Sequence, residues 1–188
     1  MYVTHEMIGQ MEDVYGRPAK AAFSMPVSAD EYSRIRSSQK DGRNHDVTVY
    51  IRKGEKIVVI AKPFYPPEMY RAPSGGLKPD ESFIDGINRE MAEEVGCEIR
   101  LNRFLLQTSV KFTHDGNVID WRSFVFTADY VSGDFRFTDH SEIREVCLAG
   151  WDDFDTFSEI MRRSDIGGLH YRAALHEEVK RLVFEERE

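Results

Sequence analysis

Three glutamates within one helical turn carry the first chemical signal. In the run REMAEEVGC, residues 89–97, Glu90, Glu93 and Glu94 are three and four positions apart, a spacing that puts side chains side by side on a helix. Ile84, Ile87, Met91 and Val95 fall on a different side and form a core-facing stripe. One helix therefore packs down on one face and presents crowded carboxylates on another. Such crowding opposes folding by a few tenths of a kcal/mol per exposed pair. A hard divalent cation removes the conflict, because Mg²⁺ takes oxygen ligands and is held by a few carboxylates together with substrate phosphates. Arg89 beside the cluster is placed to hold one carboxylate by a forked hydrogen bond. Glu81 stands near the predicted helix start, where a negative charge suits the dipole.

The pattern extends beyond the helix turn. Gly75, Glu81, Arg89, Glu90, Glu93, Glu94 and Gly96 stand at the spacing G-x5-E-x7-R-E-U-x-E-E-x-G-U, closed by Cys97. With each type at roughly one residue in fifteen, seven fixed positions coincide by chance on the order of once in a hundred million start sites. An isolated acidic run is usually a solvated helix face; this longer pattern resembles the signature of the Nudix hydrolase family. Two positions depart from it. Gly75, the first of the Gly75-Gly76 pair, is the one in register, so the loop looks one residue short, and Cys97 stands where a larger aliphatic is common.

The resemblance implies an α/β fold, the αβα sandwich with a mixed sheet, over about residues 46–188. It implies hydrolysis of the pyrophosphate bond in a nucleoside diphosphate joined to another group, with Mg²⁺ or Mn²⁺ as cofactor. Carried over residue by residue, Glu90, Glu93 and Glu94 are the expected metal ligands, with a carbonyl from Gly75 or Gly76. Arg89 would orient Glu90 or Glu93. The general base is expected from the acidic loop Asp139-His140-Ser141-Glu142. Glu142 is favoured, Asp139 and Glu145 stand behind it, and His114 and His140 rank lower. Phe64, Tyr65 and Tyr70 precede the glycine loop and are candidates to stack on a base; Arg71 is a candidate phosphate or ribose contact. For each aromatic taken singly, core packing or loop ordering is the better account, and for Arg71 a surface role is about as good. An ADP-ribose or ADP-sugar substrate is favoured. The alternatives are a nucleoside-triphosphate pyrophosphatase and a nucleotide-sensing domain without catalysis.

The elements that must position these groups are readable in outline. Thr4 to Tyr15 reads as an amphipathic helix whose apolar face needs the body of the protein or a second subunit, which makes a homodimer an expectation. Arg17 to Val27 reads as a connector. Ser28-Ala29-Asp30-Glu31 is a capping box opening a helix to about Ser38. Residues 1–45 hold too few apolar side chains for their own core and read as an accessory segment. Asp46 to Lys53 and Lys56 to Lys62 read as a hairpin turning on Gly54-Glu55. Glu68 to Ala72 reads as a short strand. Ile99 to Phe112, Val118 to Tyr130, a piece beginning at Phe135 and Phe137, and Ile143 to Ala149 read as extended. Two helices close the chain, with Gly167-Gly168 as a break between them.

Composition narrows the classes. With 188 residues the chain suffices for one domain with a core. A net charge of −8 argues against a nucleic-acid-binding face and leaves local cations to attract a polyphosphate. The two cysteines, Cys97 and Cys147, lack metal-type spacing and suit a reducing cytosol. The start MYVTHEMIGQMED has no basic-then-apolar pattern of a signal peptide, and no stretch approaches the roughly 18 apolar residues of a spanning helix. A cytoplasmic chain acting on a small nucleotide, away from membranes and nucleic acid, is the expectation.

Overall fold

The computed structural model describes residues 3–185. Its elements run α1 (His5–Tyr15), β1 (Ala19–Pro26), α2 (Ala29–Ser38), β2 (His45–Lys53), β3 (Lys56–Ala61), β4 (Ser74–Gly75), α3 (Phe83–Glu94), β5 (Cys97–His114), β6 (Asn117–Gly133), β7 (Glu145–Ala149), α4 (Asp153–Arg163) and α5 (Gly167–Glu185). The strands form a mixed sheet in the order β1-β5-β6-β2-β3-β7, with β4 paired to β2. β1 runs parallel to β5 and β2 parallel to β6; the other pairs are antiparallel.

Period-two alternation sorts the strand side chains to two faces. Val47, Val49, Ile51, Phe124 and Phe126 point to one layer, where Ile87 and Met91 of α3 and Ile8 and Met11 of α1 cover them. Tyr50, Val59 and Val125 point to the other, under Phe154 and Phe157 of α4 and Leu175 and Val179 of α5. Helices thus lie on both faces, which is the expected αβα sandwich. The apolar stripe of α1 is covered by this body, although Val14 at its edge stays 70% exposed. No helix of the described residues is long and apolar enough to cross a membrane.

Several local expectations hold for the reasons that suggested them. Ser28 accepts from the Glu31 N–H, and Glu31 accepts from the Ser28 N–H, closing the capping box. Lys53 pairs with Lys56 across Gly54-Glu55, with Gly54 at φ 63°. Others differ. Residues 19–26, read as a connector, form the edge strand β1 with alternating half-buried and exposed side chains. Glu68 to Ala72 is no strand: Glu68 takes φ 65°, and Arg71 makes an isolated bridge to Ile60. Phe135, at φ 62°, turns the chain off the sheet, so Phe135 and Phe137 pack on the core from a loop. Gly167 and Gly168 open α5 instead of breaking the chain. Gly167 lies where a Cβ would meet the Pro26 carbonyl oxygen at 2.2 Å, so the missing side chain admits β1.

Gly96 ends α3. At φ +70° its N–H reaches back to Met91 O, and a Cβ there would lie 2.3 Å from the Arg136 carbonyl oxygen. Both the left-handed backbone and the close approach need glycine. Gly96→Ala is expected to destabilise the fold by about 2 kcal/mol or more, read as a lower urea midpoint with an unchanged slope.

Candidate active site

A cleft of about 600 Å³ opens between α3, the glycine loop, α2 and the start of α5. β4 fixes its floor. Ser74 and Gly75 pair with Thr48 and Val47, which registers the glycine loop to the sheet. Because Gly96 stops α3, Glu90, Glu93 and Glu94 occupy its final turn, with no basic residue there to answer the helix dipole. All three carboxylates line the cleft, together with Gly75, Phe64, Tyr65, Arg71 and Glu142.

Arg89 organises the acidic turn. It grips both oxygens of Glu81, through Nε at 2.8 Å and Nη2 at 2.9 Å. Its Nη1 donates to Glu90 at 2.8 Å and Glu93 at 3.1 Å, and its Nη2 also donates to the Gly76 carbonyl at 3.0 Å. The hydrogen bonds from Arg89 lower Glu81 from its ordinary carboxylate value. Glu90 goes the other way. Burial pushes it up against the pull of Arg89, and Glu93 and Glu142 add repulsion. Burial also raises Glu94, against Arg71 and Lys62, while Ser74 N–H donates to its Oε2 at 3.2 Å.

The donor set suits a hard cation in chemistry. Gly75 makes room for Glu90: a Cβ there would sit 1.9 Å from the Glu90 Cδ. The hydrogen bonds use Oε1 of Glu90, Oε2 of Glu93 and Oε2 of Glu94, which leaves a second oxygen on each carboxylate. These oxygens are not gathered in place, however. Among the described residues no three acidic, imidazole or thiolate groups converge on one point closely enough to ligate an ion together. Arg89 Nη1 bridges Glu90 and Glu93 through one oxygen of each. The Gly76 carbonyl accepts from Arg89, while Gly75 stands opposite Val47 in the β4–β2 ladder.

The remaining sequence candidates divide. Glu142, exposed, meets Lys62 Nζ at 2.6 Å on the cleft wall. Asp139 lines the cleft too, but its Oδ1 caps its own loop, accepting from Ser141 and Glu142 N–H. The loop itself hangs on α3: the N–H groups of Thr138 and Asp139 both donate to Glu93 O. Glu145 lies outside the cleft and accepts from the Tyr70 hydroxyl at 2.9 Å. His114 lies outside as well, bonded to Val27 O, and His140 packs on Phe137. Phe64 is 70% exposed with its ring 5.0 Å from Tyr65, whereas Tyr65 is buried in a small cluster with Met69 and Leu169. Arg71 is buried, bonded to Ala72 O and to Ser74 Oγ at 2.7 Å.

Sequence reasoning missed Arg172 and Asp46. Arg172 of α5 donates to Asp46 at 2.6 Å, Thr48 at 3.1 Å and Ser74 Oγ at 3.2 Å. Burial alone would push Asp46 up, but Arg172, Ser123 and Trp121 together hold it below the carboxylate range. Neighbouring His45 is fully buried, and desolvation pushes its imidazole down to about 4. One signal was present. Leu169, Arg172, His176 and Val179 share one helical stripe, and titratable groups on an apolar stripe need buried partners.

The NUDIX domain family model matches residues 42–167, two thirds of the chain and all of its acidic signature. The chain belongs to the Nudix hydrolase family. One Nudix relative, the NAD-capped RNA hydrolase NudC of Chromobacterium violaceum, is 32% identical over 107 residues. That match covers 57% of this chain and 37% of the relative, so the chain spans little more than a third of its length. Among solved structures, a NUDIX hydrolase from Nitrosomonas europaea aligns with a TM-score of 0.50 at 20% identity, over 70% of this chain and 88% of that one. A UDP-X diphosphatase aligns with a TM-score of 0.50 at 18% identity, over 84% and 72%. At these identities the likeness concerns the Nudix fold. The matched region leaves out α2 and most of α5, which both contribute to the lining of the cleft.

Proposed function

We propose that this protein hydrolyses the pyrophosphate bond of a nucleoside diphosphate joined to a further group, with ADP-ribose or an ADP-sugar as the favoured type. The observation that carries the reading is the meeting of Glu90, Glu93, Glu94 and Glu142 with Gly75 in one cleft beside exposed Phe64. Glu90, Glu93 and Glu94, with the Gly75 carbonyl, would hold Mg²⁺ or Mn²⁺. When bound, the metal supplies neutralisation of the phosphate oxygens and a more acidic water. Arg89, braced by Glu81, orients Glu90 and Glu93 until they turn to their ligand. Glu142, steadied by Lys62, is the group to take the proton of the attacking water. Phe64 offers its open ring face to a nucleobase. Arg71 and Arg172 both hold Ser74, and so keep the glycine loop at its height in the cleft.

A dinucleotide is the second reading, in which the further group is another nucleoside. The relative named for NAD-capped RNA favours it. The chain's charge of −8 disfavours contact with a long nucleic acid.

Product analysis tests both readings. ADP-ribose, ADP-glucose, UDP-glucose, NAD and the nucleoside triphosphates would be incubated with Mg²⁺ and resolved by chromatography. AMP with a sugar phosphate is the expected outcome. AMP with nicotinamide mononucleotide would select the second reading, and pyrophosphate from a triphosphate would replace both. Turnover of none of them would leave a nucleotide-sensing domain.

A further inference from the structure

The cleft is charged unevenly, and its cations are not equally occupied. Lys62 is paired with Glu142 and Arg172 with Asp46. Arg71 is spent on Ala72 O and Ser74. Arg34 and Arg43 line the same cleft, and their guanidinium groups make no ion pair or hydrogen bond among the described residues. Arg43 Nε is moreover buried with no acceptor. A buried donor left unmatched is unfavourable, and an incoming acceptor removes the deficit.

The glycine pair shows where that acceptor would lie. A Cβ on Gly75 would run into the Glu90 carboxylate. A Cβ on Gly76 would fall 2.0 Å from Arg43 Nη1 and 2.7 Å from its Cζ. Consecutive residues therefore give their bare sides to an acid and to a guanidinium. Arg34 rides on α2, whose position is fixed: Glu31 accepts from the Gly168 N–H at 3.1 Å, tying α2 to the start of α5.

Resting on the pyrophosphatase reading of the cleft, we propose that Arg43, with Arg34 at the outer edge, is an anion subsite that binds a phosphate of the nucleoside diphosphate across the glycine pair from the carboxylates. The guanidinium fork matches two phosphate oxygens and carries its charge at every working pH. The acidic turn repels a diphosphate until a cation is present; this wall attracts it without one. Arg34 lies ahead of the matched family region, so part of the subsite belongs to this chain's own amino-terminal segment.

The test is calorimetric titration of the full chain with ADP in EDTA, which removes the metal from the question. Wild-type protein is expected to bind ADP, and Arg43→Ala to weaken it about tenfold or more, as for removal of a charge-assisted hydrogen bond. Arg43→Lys should recover part of that affinity, since it restores charge without the fork. Gly76→Ala should mimic Arg43→Ala, because the added methyl displaces only the end of a flexible side chain, and circular dichroism would confirm its fold. In turnover assays the Arg43→Ala defect should fall on KM and not on kcat. Wild-type protein that takes up no ADP without metal overturns the subsite. So does Arg43→Ala with unchanged ADP affinity, or with its defect confined to kcat. ADP uptake that depends on Arg43, in a protein that hydrolyses no pyrophosphate, upholds the subsite and sinks the hydrolase reading instead.

Discussion

Glu93→Gln is expected to lower kcat by about a hundredfold or more while leaving the melting temperature nearly unchanged. The substitution keeps shape and removes one charge. In the folded chain that charge contributes little to stability. It sits in the last turn of α3, where a negative group opposes the helix dipole, and its side chain is 46% exposed. Its ion pair with one arm of Arg89, at 3.1 Å, is broken, but Arg89 keeps Glu81 and Glu90. The expected stability change is within about 0.5 kcal/mol. Activity has no such reserve, because a neutral amide is a poor ligand for a hard dication. Steady-state kinetics with Mg²⁺ and a thermal melt on one preparation separate the two effects. Turnover of every substrate at wild-type speed would refute the metal assignment.

Glu94→Gln is expected to separate activity from stability with opposite signs. Hydrolysis should again fall by about a hundredfold. The metal-free variant, however, should melt higher than wild type at pH 7. Burial raises Glu94 above its ordinary value of 4.5, so its ionisation works against the fold. The stability it contributes is complete below that unfolded value and is lost as pH rises through the folded one. Glutamine keeps an oxygen for the Ser74 N–H and never ionises. The gap between variant and wild type should therefore close as the pH falls to about 4 and open toward neutrality. At this chain length each kcal/mol corresponds to about 2–4 °C. Adding Mg²⁺ should raise the wild-type melting temperature at pH 7 and leave the variant where it was. Scanning calorimetry at both pH values, with and without the ion, reads all four states. A variant that melts lower than wild type without metal would show that Glu94 serves the fold.

The acidic turn was legible because its parts are local. Glu90, Glu93, Glu94 and Arg89 are brought together by helix geometry alone, and a fixed spacing reports it. The opposing walls are not local. Arg172 meets Asp46 across the whole domain, and neither residue stands in a pattern that names the other. β1 was missed for a different reason. Its run AKAAFSMP holds three alanines, a serine, a lysine and a final proline against a single aromatic and no β-branched residue, so little in it announces a strand. The expected strands at 68–72 and after 134 failed on backbone grounds. Glu68 and Phe135 take positive φ, which no residue preference at those positions announces. Between β5 and β6 the chain turns on Asp115-Gly116, a pair that tolerates positive φ at both centres.

The loop bearing Glu142 is slung from the carbonyl of Glu93 by two N–H groups. Its far end is gripped by Lys62. The proposed proton acceptor and the proposed ion-holding turn are thus yoked at the backbone, although 49 positions separate Glu93 from Glu142 in the chain. A shift of either drags the other, so neither can be retuned alone. Changes of loop length between Thr138 and Glu142 should accordingly disturb the affinity for the dication as well as the speed of water attack.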